Sequence, residues 1–544
     1  MTDKTEPRRG RWGAALAGGV VALLAFALYL STLAPTVLYY EDPTMYDPAM
    51  LQAEAYVLGI GHPSGYPTYM MLTHLFTYLP FGDVAYRVNL ASAVYAAAAV
   101  FLVYLVALRV GGRAVAASVG ALAFGVSQTF WSQATLAEVY TLNALFIALI
   151  LLTLLVWRDT RRDRYLLAAA LLMGLSLTHH LTSGLLLPAG LAFVFLVDRR
   201  KLREWRLLLK AAGLFVVGLL PYLYLPIRAW MDAAMNEADP SSPVRFLLLV
   251  TASSYLLKLL TDEQQPRAND DASTTEELFA RLSTSVEHLS GQFPVLLVLV
   301  GAAGIYYLAR ADRAAAVFTG VPFVGWLVHA LTDGVKDFYV FLIPCYLIFA
   351  VWISFGAAVL LRRTEALSQN YPSAVRRAAP MALCALAFAV LFIGAWGTYG
   401  ENDRSGDLRG RALVEAVADN AAPGATILHH RSSLWYMVLV EERRQDLTLV
   451  DPFKTSWIRY NDIVWPEPLT RPQADARYDL DDTTGVAAAR EAARNGPVYV
   501  LDPKALDGDE AGLSFFRDAG FDVVRAGEGG ELYELVPPGR EPRG

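Results

Sequence analysis

Long apolar runs recur along most of this chain, and they leave few folds open to it. A bilayer core about 30 Å thick needs roughly 20 apolar residues to be crossed as a helix. Backbone groups inside it must bond to one another, so runs of this length read as a helical bundle. They cover residues 12–33, 86–108, 114–130, 141–157, 165–177, 181–197, 207–225, 294–308, 314–331, 338–361 and 381–398. We read a polytopic α-helical membrane protein with about 11 transmembrane helices; the ends are least sharp at 114–130 and around 178–182. Composition agrees, with 55% hydrophobic and 18% charged residues against about 25% charged in soluble domains. Cys345 and Cys384 both fall inside apolar runs and read as packing thiols, not as a disulfide framework.

Arg8, Arg9 and Arg11 precede the first run, which puts the N-terminus in the cytoplasm by the positive-inside rule. Alternate loops then carry Arg109 and Arg113, the basic clusters at 158–164 and 199–206, Arg310 and Arg313, and the cluster at 362–377. The alternation places two long loops, 34–85 and 228–293, on the exterior with everything after Thr398. The first run has no small-residue cleavage site and reads as a retained anchor. Two domains follow, 1–398 in the membrane and an exterior or periplasmic domain at 399–544. In the latter, short β-branched runs (425–428, 447–450, 498–501, 523–524) alternate with helical stretches (408–420, 486–495, 512–519), the pattern of an α/β domain. In the first loop, residues 66–79 repeat apolar side chains at helical spacing but are too short to span, which suits a helix lying at the interface.

That same loop contains YEDPTMYDPAMLQAEAYVLGIGHPSGYP at 40–67, with Glu41, Asp42, Asp47, Glu54 and His62. Ionisable groups beside spans are functional candidates. Asp47 stands just before a helix expected at 48–58, where it suits an N-cap and equally a general base that takes a proton from a hydroxyl. His62-Pro63-Ser64-Gly65-Tyr66-Pro67 makes a rigid, non-helical turn, and His62 can cap a phosphate or oxyanion. Other polar groups stand at exterior span ends: Trp131 and Glu138, the pair His179 and His180, Arg228, and Lys336 beside Asp337. Arginine and histidine together suit a phosphate, although the histidine pair also suits hydrogen bonding between helices. Asp42, Asp47 and Glu54 lack the partners a metal site requires, and any metal need stays open. There is no Walker A loop or dinucleotide fingerprint, which argues against an ATP-driven or nicotinamide enzyme. Nothing suggests a nucleic-acid partner.

Five blocks in order carry a resemblance. They are Asp47 with His62-Pro-x-Gly-Tyr-Pro, FGDVAYRVNLASA (81–93), WSQATLAEVYTLNALF (131–146), LSLTHHLTS (175–183) and YLPIRA (224–229), with a weaker continuation in KDFYVFLIP (336–344). Together they resemble a bacterial member of the protein O-mannosyltransferase-like family. The resemblance implies a GT-C-type fold. It also implies a lipid-linked donor, a polyprenyl-phosphate sugar, and an acidic catalytic base in the first exterior loop. The family's Asp-Ser-Gly-Glu and His-Pro-Pro-Gly fall on Asp47 and His62, but Pro48-Ala49-Met50 replaces Ser-Gly-Glu and Ser64 replaces the second proline. Asp47 is left as the single catalytic acid at that spot, with Asp42 or Glu54 as supporting candidates.

The expected function is an inverting glycosyl transfer on the outer face. Mannose or a similar hexose would pass from the polyprenyl phosphate to a hydroxyl of an exported protein or glycan. Arg228, His179, His180 and His62 would hold the donor phosphate, and Tyr66, Trp131, Glu138 and Lys336 would line the substrate loop. A transporter or lipid flippase is the alternative from another class. It is disfavoured because no internal repeat is visible and the polar residues gather at one face.

Overall fold

The computed structural model describes residues 8–38, 47–252, 274–332, 337–429, 432–450, 484–501, 512–527 and 532–540. Asp42 and Lys336 lie outside them. Among the described residues, eight helices are long and apolar enough to cross a membrane: Gly13–Ser31, Val84–Gly111, Tyr140–Thr160, Leu181–Asp198, Trp205–Trp230, Arg313–Thr332, Phe338–Ser368 and Ser373–Asn402. The helices Ala114–Gly125 and Gln128–Ala134 meet at 68° and make a ninth crossing if taken as one broken span. Arg164–Leu177 and Val295–Ala311 are apolar but have only 14 and 17 residues. At 1.5 Å per residue they reach about 21 and 26 Å, less than the hydrocarbon thickness. Every apolar run is therefore helical and the protein is a multi-pass membrane protein, but a count of eleven crossings does not follow.

Contacts divide the chain into two compact units, 1–33 with 90–221 and 261–403, and 34–89 with 222–260 and 404–544. A cut at residue 398 would assign both long loops to the membrane helices. The contacts group the first loop and residues 228–260 of the second with the C-terminal segment instead.

In the first unit, glycine sets how closely helices approach. A Cβ on Gly304 would collide with the Trp352 carbonyl, and one on Gly356 with the Val300 carbonyl, so Val295–Ala311 and Ile343–Ser368 pack backbone to backbone. Gly174 and Gly218 do the same for Arg164–Leu177 and Trp205–Gly218. Lipid offers no hydrophobic drive for helix association, so close van der Waals fit of small residues supplies much of it. Buried polar pairs add to this, such as Trp352 Nε1 donating to Thr319 Oγ1 at 3.0 Å and Ser183 Oγ donating to Asn143 Oδ1 at 2.8 Å.

The second unit contains a five-stranded sheet: β1 Thr426–Leu428, β2 Thr448–Val450, β3 Val498–Leu501, β4 Asp522–Arg525 and β5 Leu532–Val536, in the order β2-β1-β3-β5-β4. β1 runs parallel to β2 and β3, whereas β5 is antiparallel to β3 and β4. Four strands coincide with the β-branched runs of the sequence. β5 escaped notice because Glu534 interrupts LYELV, yet that residue is buried here. The helix Leu434–Leu439 is an all-apolar LWYMVL, and periodicity cannot tell a short run of that kind from a strand. The helix Asp47–Val57 enters the core of this unit, where Met50 and Ala53 join Leu413, Val414, Ile427 and Trp435.

Candidate active site

The helix Asp47–Val57 starts at the acid singled out in the sequence, with Pro48 in the second position. Proline is tolerated there because its missing N–H has no partner within the helix. Leu58 closes the other end in the left-handed region, with φ 53°, and the Gly59 N–H returns to the Glu54 carbonyl at 2.8 Å. Arg228 completes that end. Its Nε donates to the Leu58 carbonyl at 2.8 Å and its Nη2 to the Val57 carbonyl at 2.9 Å, a cation where the helix dipole is negative. Tyr224, one turn earlier, donates its hydroxyl to the Gly59 carbonyl at 2.8 Å and also interacts with Arg228.

Beyond the helix, Ile60 pairs with Asn236 in an isolated parallel bridge. The Ile60 N–H donates to the Met235 carbonyl and the Glu237 N–H to the Ile60 carbonyl, both at 2.9 Å. The two long loops are thus joined through their backbones. The turn that follows needs its glycines. Gly65 has φ 81°, and a Cβ on it would come within 2.8 Å of Leu225; a Cβ on Gly61 would stand 3.1 Å from the Glu54 carboxylate.

This turn brings His62 to Asp47. Nε2 of His62 lies 3.6 Å from Oδ2 of Asp47, with 16% of the His62 side chain and 30% of the Asp47 side chain exposed. The Tyr66 hydroxyl reaches the same Nε2 at 3.0 Å and the Pro63 carbonyl at 3.4 Å, and its ring meets the imidazole edge-on. Asp47, His62 and Tyr66 therefore form one cluster, to which Asp47 brings the carboxylate. Glu54, a supporting candidate from the sequence, is wholly buried. Asp83 is held by the Thr36 hydroxyl at 2.5 Å, the Tyr86 N–H at 2.8 Å and Arg411 at 3.2 Å.

The remaining candidates belong to the membrane unit, where the structure gives them packing partners. Trp131 is fully buried and donates its indole N–H to Thr32 at 2.9 Å. Glu138 is almost buried, and its backbone exchanges hydrogen bonds with the Ser92 hydroxyl. His180 pairs through Nδ1 with the Thr182 hydroxyl at 2.8 Å. His179 is fully buried and bonds through Nε2 to the Val139 carbonyl at 2.9 Å. Burial pushes its imidazole down to about 3, with the Val139 bond opposing, so it is neutral at physiological pH and brings no charge to a phosphate. The bond to Val139 is of the inter-helix kind, one of the two roles open from the sequence. Among the described residues, no group of three or more His, Cys, Asp or Glu side chains could hold a metal ion. Sequence reasoning missed the Arg228 tether, because nothing in the YLPIRA block tells that its arginine meets a helix end 170 residues away.

Comparisons with known proteins bear on the same residues. Residues 47–204 match the family described as "Protein O-mannosyl-transferase TMEM260 N-terminal domain". The Mus musculus protein O-mannosyl-transferase TMEM260 is 32% identical over 232 residues, which are 41% of this chain and 32% of that protein. The chain thus spans about a third of the length of that relative. Among solved structures, ArnT from Cupriavidus metallidurans bound to undecaprenyl phosphate superposes with a TM-score of 0.60 at 12% identity, covering 95% of this chain and 97% of that one. The archaeal oligosaccharyltransferase AglB from Archaeoglobus fulgidus, in complex with an inhibitory peptide and a dolichol-phosphate, gives 0.53 at 13% identity, covering 99% and 76%.

Proposed function

From a chain that is protein O-mannosyltransferase-like over 47–204 and GT-C-like in fold, we propose a membrane glycosyltransferase. It moves mannose or a similar hexose from a polyprenyl-phosphate donor to a hydroxyl, on Ser or Thr of an exported protein or on a glycan, at the outer face. The N-terminus is then cytoplasmic and the C-terminal α/β segment exterior. The observation that carries this reading is Asp47. It is a partly exposed carboxylate at the start of a helix anchored at its far end by Arg228, and it lies inside the family match.

A carboxylate placed this way can take the acceptor hydroxyl's proton as the oxygen attacks the anomeric carbon. The bond from that carbon to the donor phosphate breaks, and the electron pair leaves with the phosphate. Retention by double displacement, as in glycoside hydrolases, uses a second carboxyl group beside the first. Of the other described first-loop acids, Glu54 is buried and Asp83 is held by Arg411, which supports a single displacement with inversion. Two fold neighbours were solved with undecaprenyl phosphate and with a dolichol-phosphate, which supports a lipid-phosphate donor. A guanidinium such as that of Arg228 matches a phosphate oxygen pair in geometry. His179, buried and neutral, would bring it no charge.

The test is Asp47→Asn in membranes supplied with a polyprenyl-phosphate sugar and a peptide acceptor. The variant should extract and fold like the parent yet form no glycosylated product. Parent-like turnover by this variant would remove Asp47 from the mechanism.

A further inference from the structure

Asp47 and Tyr66 meet at a single nitrogen. Oδ2 of Asp47 is 3.6 Å and Oη of Tyr66 is 3.0 Å from Nε2 of His62. The Tyr66 hydroxyl has a second acceptor within reach, the Pro63 carbonyl at 3.4 Å. From this geometry we propose that His62 and Tyr66 are positioning residues that form a proton relay behind Asp47. The proposal rests on Asp47 being the base.

In the resting relay the imidazole is neutral, with its proton on Nδ1. The Tyr66 hydroxyl donates to Nε2, and the ionised Asp47 carboxylate stands beside the same nitrogen. As the acceptor oxygen bonds to the anomeric carbon and the phosphate leaves, the hydroxyl proton moves to Oδ2 of Asp47. It then passes to Nε2, the Tyr66 hydroxyl swings to the Pro63 carbonyl, and the imidazolium faces a carboxylate once more. Release of that proton to water resets the relay. Nothing is oxidised or reduced, and one proton enters and leaves per sugar transferred.

The backbone is built to hold this arrangement. Tyr66 sits in the left-handed region, with φ 42°, immediately before the helix Pro67–His74, and the Met70 N–H returns to its carbonyl at 3.0 Å. The Gly65 N–H closes on the His62 carbonyl at 2.6 Å. Edge-to-face contact between the rings, with centroids 4.9 Å apart, limits rotation of the imidazole. Among the described residues, other ionisable groups near the turn make contacts elsewhere. Tyr222 hydrogen bonds to Ser64, Glu54 stands against Gly61, and Tyr224 and Arg228 hold the end of the Asp47 helix.

The experiment is the pH dependence of kcat and of both KM values for the full-length chain in detergent or nanodiscs, with His62→Gln and Tyr66→Phe as variants. Glutamine keeps a hydrogen-bonding group but cannot take a proton. It should lower kcat by about 10- to 100-fold, at or below the lower end of direct acid–base contributions because the residue acts behind the base, leave both KM values nearly unchanged and remove one protonation from the acid limb. Loss of the Tyr66 hydroxyl removes a donor to the neutral imidazole, so the imidazole protonates more readily and the acid limb moves to higher pH. Profiles of parental shape in both variants would overturn the relay. A raised donor KM with kcat intact in His62→Gln would overturn it too, and would place His62 on the donor phosphate. An active Asp47→Asn variant would instead refute the assignment of the base, whatever the His62 variants do.

Discussion

Removing the Arg228 guanidinium tests whether the far end of the Asp47 helix governs the near end. Two carbonyls, of Val57 and Leu58, accept from it at 2.9 and 2.8 Å. Hydrogen bonds from a charged donor contribute about 1.5–3 kcal/mol each. Arg228 is half-buried, so water recovers part of that in a variant, and about 2–4 kcal/mol of local stability remains at stake. Arg228→Met should therefore speed amide exchange of residues 51–58 by about 30- to 700-fold, at about 1.4 kcal/mol per tenfold. Arg228→Lys restores the charge without the two-pronged geometry and should recover part of this protection. Hydrogen exchange followed by mass spectrometry on the purified chain reads both. Turnover should fall with exchange protection, because a frayed helix no longer holds Asp47 beside His62. Unchanged protection in Arg228→Met would refute the tether. A rise in donor KM with protection intact would place the guanidinium on the donor phosphate alone.

Two further outcomes concern the membrane unit. The His179 imidazole is held at about 3 in the folded chain against an ordinary value near 6.5, so the unfolded chain binds the extra proton first as pH falls. The stabilising difference is complete above about pH 6.5 and shrinks toward pH 3, by about 2 kcal/mol between pH 6.5 and 5; thermal midpoints of His179→Gln should vary less with pH over that window, and an equal slope would count against a buried neutral imidazole. Gly356→Val drives a branched side chain into the Val300 carbonyl and should cost about 1–3 kcal/mol or more, seen as loss of the monodisperse peak in size-exclusion chromatography after extraction. A parent-like profile would mean that the helices Val295–Ala311 and Ile343–Ser368 do not pack backbone to backbone.

Much of the candidate site was legible because its residues are close in sequence. Asp47, His62 and Tyr66 fall within 20 positions, and the Pro and Gly residues between them announce a turn whatever surrounds it. Glu54 shows where such reading fails. It stood as a supporting acid beside Asp47, yet the side chain is fully buried, because the helix that bears it is packed on several sides. Trp131 and His179 were singled out for their types at a span end, and both are fully buried beside backbone or hydroxyl partners. Residue type states what a group can do, but only burial states whether a substrate can reach it.

Hydropathy settled the class, since no chain with this many apolar runs can hide them except in lipid, and β-branched runs in the last quarter announced a sheet. These are local properties, written in the order of residues. Which segments share a core is not local. The first long loop, the segment near Arg228 and the C-terminal sheet are separated by hundreds of residues, and they join through a buried cluster containing Met50, Met235 and Trp435. Only the tertiary structure could decide that grouping, because burial of apolar surface has no direction along the chain and favours any partners that fit. The same holds for Arg228, whose meeting with the Val57 and Leu58 carbonyls depends on two loops arriving together.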